Sequence, residues 1–453
     1  MKHLALIASA ILTAPHAVAQ EQDHTGHEGH TPAAEQPPAS DHSGHDAMDH
    51  STMDHSGMDH AAMPSALGSY PMSRDASGTA WQPDAASHGG LHFTLPDPNW
   101  SAMVHVTLDG VYSSQGGPRG DDKFFGAGMV MGSLRGAAGD SGTVQFRAML
   151  SPDPLMGKSG YPLLLAAGET ADGVEPLVDR QHPHDLFMEL SASYSHQLSD
   201  TDSVFIYGGL PGEPAFGPPA FMHRPAAMAS PEAPITHHWI DSTHITFGVL
   251  TAGWVHDNFK LEASRFRGRE PDEERYNIET GELDSTAVRV SWNPTTNWSL
   301  QASWADVTSP EQLEPDVDVT KYSASALYTG EFEGGDVSFT GAFARKESSE
   351  DVTLDAWLTE ASYKPGKGSW TIFSRFEAIE TDELGDHAAH GHHGPIENVM
   401  RVSLGASHDV RLSDSVVLAL GGSLTQNWTS GALSALYDGD PIGAMAFVRL
   451  KIG

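Results

Sequence analysis

The stretch Thr143-Val-Gln-Phe-Arg-Ala-Met-Leu150 decides the fold, because apolar and polar side chains alternate along it. One face of an extended chain would carry only apolar residues, namely Val144, Phe146, Ala148 and Leu150. The other face would carry Gln145, Arg147 and Met149. A period of two residues is typical of a β-strand whose two faces meet different surroundings. The stretch therefore predicts a strand with one apolar face and one more polar face.

The same alternation recurs from Trp100 to the C-terminus in segments of roughly ten residues separated by turn residues. Sixteen such segments lie near residues 100–112, 124–135, 142–150, 185–198, 203–210, 243–255, 258–267, 284–293, 297–306, 320–331, 335–345, 353–364, 369–380, 397–411, 414–428 and 441–452. An even number of strands is typical of bacterial outer-membrane barrels. The fold class that we predict is all-β, a transmembrane antiparallel β-barrel of about 16 strands over residues 100–453.

The connections between these segments support a barrel, because short and long connections alternate along the chain. Short connections run from Leu198 to Ser203, from His256 to Asn258 and from Asn293 to Asn297. Short periplasmic turns and long outer loops are typical of transmembrane barrels. We therefore expect the chain to lie in the lipid of the outer membrane of a Gram-negative bacterium. With an even strand count, both ends of the barrel lie on the periplasmic side.

The N-terminus has the features of a secretory signal peptide. Lys2 precedes an apolar run from Leu4 to Ala14, and Ala17-Val18-Ala19 follows as a cleavage pattern of small residues. We assign residues 1–19 to the signal peptide, 20–64 to a leader and 65–99 to a linker before the barrel.

The leader is rich in His and Met and lacks the large apolar residues of a core, so we expect it to be disordered without ligand. The unit Met-Asp-His recurs at a spacing of five residues. Its candidate metal ligands are His24, His27, His30, His42, His45, Met48, His50, Met53, His55, Met58, His60 and Met63. The chain has no cysteine, so metal binding depends on imidazole, thioether and carboxylate groups. Imidazole and thioether together favour copper, while zinc and nickel would use the histidines alone.

Two further groups of histidines lie in the long connections. The first group joins residues before the fourth and sixth segments, and it comprises His182, His184, His237, His238, Asp241 and His244. These residues form either a second metal site or a plug loop whose side chains hydrogen-bond the barrel wall. The second group comprises His387, His390, His392 and His393, and we interpret it as another exposed metal-collecting loop.

Charge and motifs exclude several function classes. Lys+Arg number 25 against Asp+Glu 60, which gives a net charge of -35 and repels nucleic acid. The sequence has no Ser-His-Asp order, no glycine-rich phosphate loop and no HExxH motif, so we do not expect an enzyme. We interpret Glu270, Asp272, Glu273 and Glu274 as a solvated acidic loop.

The signal peptide, the repeats between Asp41 and Met63 and the barrel pattern resemble the outer-membrane copper-resistance proteins of the B type. This resemblance covers the leader in detail and the barrel in architecture only. It implies copper tolerance at the outer membrane, by sequestration or by passage. The even strand count places the leader in the periplasm, where periplasmic copper-handling proteins are candidate partners. Two alternatives stay open: a general porin or uptake channel with incidental metal binding, and a copper-dependent oxidase.

Overall fold

The computed structural model describes residues 63–87, 89–366, 368–385 and 394–453. The predicted signal peptide and nearly all of the leader, up to residue 62, lie outside the described residues. The same holds for the predicted metal ligands His387, His390, His392 and His393.

The described residues are folded mainly as β-strands. The strands are β1 (Leu91–Thr94), β2 (Trp100–Gln115), β3 (Asp122–Ala137), β4 (Gly142–Leu150), β5 (Tyr161–Thr170), β6 (Pro176–Gln181), β7 (Phe187–Gln197), β8 (Asp202–Gly209), β9 (Val249–His256), β10 (Phe259–Phe266), β11 (Ser285–Thr295), β12 (Trp298–Val307), β13 (Val319–Phe332), β14 (Gly335–Ser348), β15 (Thr353–Lys364), β16 (Trp370–Thr381), β17 (Glu397–Arg411), β18 (Val416–Trp428) and β19 (Ile442–Ile452). Two single-turn helices are α1 (His237–Ile240) and α2 (Leu433–Leu436). No helix among the described residues is both long and apolar enough to cross a membrane.

Sixteen of these strands form one closed antiparallel barrel within the described residues. Each strand from β7 to β19 pairs with the next, β2, β3 and β4 continue the ring, and β4 pairs with β7. The ring closes between β19 and β2, where Ile452 lies opposite Val106 and Gly443 lies opposite Gln115. The short strand β1 adds to the first residues of β2, with Leu91 opposite Val104. The predicted fold class is confirmed, and the sixteen predicted segments match the sixteen barrel strands one to one.

One predicted strand boundary is wrong. The sixth segment was expected to begin at residue 243, but β9 begins at Val249, and Ser242–His244 forms a turn of 3-10 helix instead. Residues 243–249 are buried throughout and do not alternate between two faces. The apolar residues here pack inside the barrel, so they do not carry the period of a strand that faces lipid.

The barrel strands place apolar side chains outside and polar side chains inside. In β10, Leu261 is 43% exposed, whereas its neighbours Lys260 and Glu262 are 0% and 1% exposed. Large apolar residues are exposed around the ring, including Phe146, Ile206, Leu250, Trp292, Trp357, Leu404, Leu424 and Val448. A closed ring leaves no strand edge unpaired, and an apolar outer surface matches lipid. The chain is therefore a transmembrane barrel of the outer membrane.

The two ends of the barrel differ in the length of their connections. One end carries short turns, such as residues 198–201, 257–258 and 333–334. The opposite end carries long connections, among them residues 151–186, 210–248 and 267–284. In barrels of this class the short turns face the periplasm. The first residues of β2 and the last residues of β19 pair at the periplasmic end, as predicted.

The connection between β8 and β9, residues 210–248, folds into the barrel, and we call it the inner loop. Most of its residues are buried. The backbone nitrogen of Ala215 donates a 2.8 Å hydrogen bond to Ser264 Oγ, and that of Thr236 donates a 2.9 Å hydrogen bond to Glu377 Oε1. These wall residues belong to β10 and β16, so the inner loop spans the lumen.

Residues 63–87, which we call the N-terminal plug, fill the periplasmic part of the lumen. Trp81 is 3% exposed inside the barrel. Arg289 donates a 2.9 Å hydrogen bond to Thr79 Oγ1, and Asn293 donates one of 2.9 Å to the carbonyl of Gln82. The sequence predicts residues 65–99 as a linker. In the structure this segment supplies both packed lumen residues and strand β1.

Candidate metal centre

Five histidines from two separate connections lie together inside the barrel. They are His182, His184, His237, His238 and His244, and their relative exposure ranges from 2% to 9%. His182 and His184 follow β6, the second strand of a hairpin (β5 and β6) that the sequence does not predict. His237 and His238 open α1 in the inner loop. Histidines from the connection before β7 and from the inner loop therefore meet in the lumen.

Three of these rings converge on one point. One ring nitrogen from each of His184, His237 and His244 lies within 4.8 Å of the other two. The ring centroid of His244 is 5.2 Å from that of His184 and 5.1 Å from that of His237. We call these residues the three-histidine centre.

Each ring of the three-histidine centre has a buried nitrogen that finds no hydrogen-bond partner among the described residues. These atoms are Nε2 of His184, Nδ1 of His237 and Nε2 of His244. A buried polar atom without a partner is costly, and native structures contain few of them. Three such lone pairs in one place are what a bound metal ion would satisfy.

The other nitrogens of two rings are held in place. Nδ1 of His184 lies 2.8 Å from Oδ2 of Asp153, and Nδ1 of His244 is hydrogen-bonded to the carbonyl oxygen of Asp241. A proton on Nδ1 leaves the lone pair on Nε2. Partners of this kind fix the tautomer and the direction of a metal-ligating histidine.

Burial affects the protonation state of two rings in the three-histidine centre. Burial lowers the pKa of His244 to about 3. Burial, followed by the nearby His244, also lowers the pKa of His237 well below its usual value. Both rings are therefore neutral at physiological pH, which is the state that binds a metal ion.

Asp241 is not in a position to bind the metal with its carboxylate. Both carboxylate oxygens of Asp241 accept hydrogen bonds of 2.9 Å from Arg224 Nη1. Arg224 also donates a 2.8 Å hydrogen bond to Oε2 of Glu360 on β15. The prediction that Asp241 is a ligand is therefore wrong. Its spacing from the histidines looked favourable, but a buried arginine occupies its carboxylate and only its backbone carbonyl reaches His244.

His182 and His238 form a neighbouring pair whose ring centroids are 5.6 Å apart. Nδ1 of His182 lies 3.0 Å from Oε2 of Glu169, and Nδ1 of His238 lies 3.8 Å from Oε2 of Glu270. The backbone at Gly168 has φ +118° and approaches the ring of His238 so closely that a side chain there would collide with it. This pair with its carboxylates borders the three-histidine centre.

Glu270 does not behave as predicted. Its side chain is 9% exposed, and burial raises its pKa to about 8. The expectation of a solvated acidic loop is wrong for this residue, although Glu274 is 61% exposed. The connection 267–284 folds back over the lumen at Glu270, and the sequence has no signal that separates this glutamate from its neighbours.

Three imidazoles are a ligand set that accepts copper, zinc or nickel. A cavity of about 340 Å³ in the lumen reaches His182, His184 and Asp153. The three-histidine centre therefore adjoins this cavity through His184.

Sequence reasoning missed Asp153, Glu169 and the inward-facing methionines. Asp153 lies 31 residues from His184 in the chain. Asp153 is near the start of the connection 151–186, and His184 is near its end. Its position beside the histidine depends on the β5–β6 hairpin, which bends the connection back on itself. No short-range pattern signals this contact.

Comparison of the sequence with protein families and with curated proteins finds no match. Among solved structures, OmpF of Salmonella typhi is similar with a TM-score of 0.51 and 10% identity, covering 80% of this chain and 100% of OmpF. An anion-selective porin from Comamonas acidovorans has a TM-score of 0.46 and 13% identity, covering 78% of this chain and 100% of that porin. The DcaP channel of Acinetobacter baumannii has a TM-score of 0.44 and 10% identity, covering 81% of this chain and 100% of DcaP. The likeness to OmpF concerns the fold alone. The chain is an outer-membrane barrel with a porin-like fold.

Proposed function

We propose that this protein handles copper at the outer membrane and binds it in the three-histidine centre inside the barrel. The observation that carries the proposal is the convergence of three buried histidines, each of which has a ring nitrogen that lacks a hydrogen-bond partner among the described residues. Hydrogen bonds to Asp153 and to the carbonyl of Asp241 support the proposal, because they orient two of the rings.

Copper is favoured over zinc and nickel by the rest of the chain. The three-histidine centre alone accepts all three metals. The Met-Asp-His repeats of the leader add thioethers, which favour copper in its reduced state. We propose that the leader collects copper in the periplasm, from ions or from periplasmic copper-handling proteins.

Metal analysis of the purified mature protein tests the proposal. We expect His184→Ala to lose one tightly bound copper equivalent relative to the parent chain. The matched control is His256→Ala, because His256 lies at the periplasmic end with a 50% exposed side chain. Equal copper content in the parent and in His184→Ala would exclude copper binding at the three-histidine centre.

The second candidate is a general porin or uptake channel that binds metal incidentally. The porin-like fold favours it. In the described part of the chain, however, the inner loop and the N-terminal plug occupy the lumen. Single-channel recordings separate the candidates, because a general porin passes small ions in the absence of copper. Large copper-independent conductance by the full mature chain would support the porin.

We also propose that copper in the centre is bound without turnover. The copper-loaded protein is then expected to oxidise cuprous ion or phenols no faster than free copper does. Faster oxidation that is lost in His184→Ala would instead identify an oxidase.

A further inference from the structure

Methionines are concentrated in one sector of the lumen. One buried apolar cluster consists of Met129, Met149, Met188 and Ile245, and Met131 and Met222 pack against it. Another cluster has twelve described members that are aliphatic or aromatic, such as Trp81 and Phe205, with no methionine among them. Buried methionines also occur singly elsewhere, such as Met156 and Met445 among aliphatic and aromatic residues, but here they are grouped.

These methionines come from the barrel wall and from the inner loop. Met131 on β3 lies directly opposite His105 on β2 and opposite Met149 on β4, so the three residues form a row across adjacent strands. Met222 reaches the same sector from the inner loop. Inward positions of an outer-membrane barrel are usually polar, so a row of thioethers here requires an explanation.

The methionine sector adjoins the three-histidine centre. Met149, Met188, Met222 and His244 line one small cavity of about 10 Å³, which is room for about one water-sized particle. Glu189, which is paired with Arg147, and Glu213 line the same cavity. A larger cavity of about 110 Å³ continues from Met222, and its methionines are Met63, Met72, Met103, Met129, Met131, Met222 and Met228.

The thioether of methionine is a soft, uncharged ligand that selects soft cations such as Cu(I). We propose that Met149, Met188 and Met222 form a binding site for Cu(I) directly beside the three-histidine centre. This inference rests on the proposed copper function and deepens it, because it assigns reduced copper to a site that the histidines do not form. The cavity with seven methionines extends this thioether surface towards the N-terminal plug.

The alternative is that these methionines only fill space. Leucine has nearly the same volume and buries as well as methionine, and exchanges between the two usually cost less than about 1.5 kcal/mol. Leucine substitution therefore removes the sulfur atoms and preserves packing. Loss of bound metal ion in a leucine variant would therefore indicate a thioether site, and unchanged binding would indicate that the methionines only fill space.

The experiment uses Ag(I), a redox-stable probe for Cu(I), and the full mature chain in detergent. The parent for all variants carries Met48→Leu, Met53→Leu and Met58→Leu, so that the leader repeats contribute no thioether. The test variant adds Met149→Leu, Met188→Leu and Met222→Leu. The matched control adds Met156→Leu, Met400→Leu and Met445→Leu, because these methionines line none of the cavities described here. Bound silver is counted, and silver–sulfur scattering is measured by X-ray absorption.

We expect the parent and the control to show silver–sulfur scattering, and the test variant to lose one silver equivalent together with the scattering that this equivalent contributes. Retention of the signal and of the full silver content by the test variant would overturn the proposal, as would a parent without silver–sulfur scattering. Heat-resistant migration of each folded barrel in detergent gels checks assembly. A negative result of the silver experiment is distinct from failure of the proposed copper function. That function is tested by the copper content of His184→Ala with all methionines intact.

Discussion

His184 and Asp153 form a buried pair in which Nδ1 of the imidazole donates a 2.8 Å hydrogen bond to Oδ2 of the carboxylate. Both side chains are less than 10% exposed. The pair links the first residues of a long connection to its last residues and directs Nε2 of His184 towards His237 and His244. Asp153 is thus a positioning residue for the three-histidine centre.

The first prediction concerns this pair. Asp153→Ala should weaken copper binding at the three-histidine centre by about 10–100-fold, because the ring loses the partner that fixes its tautomer and direction. Competition titration with a copper chelator measures the effect. Asp121→Ala is the control, since Asp121 is exposed and pairs with Arg180 at 3.0 Å outside the centre. An unchanged affinity in Asp153→Ala would show that the hydrogen bond does not orient the ligand.

The second prediction separates the three-histidine centre from its neighbouring pair. His244→Ala should abolish one tight copper equivalent, because it removes one of the three converging nitrogens. His238→Ala should retain that equivalent with reduced affinity, because His238 lies beside the centre and not among those three nitrogens. Equilibrium dialysis of both variants provides the comparison. If His238→Ala loses the equivalent and His244→Ala keeps it, copper binds at the neighbouring pair.

The third prediction concerns pH and Glu213, a buried residue of the inner loop. Burial raises its pKa to about 7 from a usual value of 4.5. Between these pH values the folded protein holds a proton that the unfolded chain releases. The free energy of unfolding therefore falls as pH rises from about 4.5 to 7, and Glu213 causes no further change above that range.

Glu213→Gln stays neutral at every pH and should remove this fall. Its free energy of unfolding at pH 8 should exceed that of the parent by up to about 3 kcal/mol, with little difference at pH 4. Urea titrations of the two chains at both pH values check this. A variant that is no more stable than the parent at pH 8 would contradict the assignment.

The fourth prediction concerns Arg224, which lies fully buried between Asp241 and Glu360. Arg224→Met leaves the buried carboxylate of Asp241 without its ion-pair partner, while Glu360 keeps Arg375 at 3.1 Å. Removal of one partner of a buried ion pair typically costs about 3–5 kcal/mol. We expect the inner loop to detach from the wall, with higher single-channel conductance and protease cleavage within residues 210–248. Arg345→Met is the control, since Arg345 pairs with Asp355 at 2.7 Å but is 41% exposed. Parent-like conductance in Arg224→Met would show that other contacts hold the loop.

The fifth prediction concerns the leader repeats. Because the Met-Asp-His units are equivalent in sequence, deletion of Ser51 to His55 should lower the copper capacity in proportion and leave the affinity of the remaining sites unchanged. Isothermal titration with copper measures both quantities. A large fall in affinity would indicate that the units bind copper jointly.

The strand pattern could be predicted from the sequence because lipid imposes a period of two residues on every segment that faces it. Leu261 beside Lys260 and Glu262 illustrates this. The filling of the lumen could not be predicted, because an inward lysine or glutamate has the same pattern whether it meets water or a packed loop. Lys260 and Glu262 are both fully buried and lie 3.2 Å apart.

The order of the strands predicts that the histidines before β7 lie near those of the inner loop. It does not predict which of these histidines converge. His184, His237 and His244 converge, while Asp241 is paired with Arg224. This selection depends on contacts between segments far apart in the chain. Arg224 and Glu360 are 136 residues apart, and no local pattern relates them.

The N-terminal plug has a consequence for the kinetics of folding. Its hydrogen bonds with the wall join residues far apart in sequence: 129 residues separate Ser195 from Ala66, and 210 separate Arg289 from Thr79. Contacts of such separation form slowly, because a long loop must close first. The carbonyl of Ala66 and the hydroxyl of Thr79 accept hydrogen bonds from β7 and β11. Both donors are in place only after β7, β11 and the strands between them have joined the ring. Docking of the plug is therefore a late step, and a nascent barrel passes through a stage in which its interior is still accessible from the periplasm.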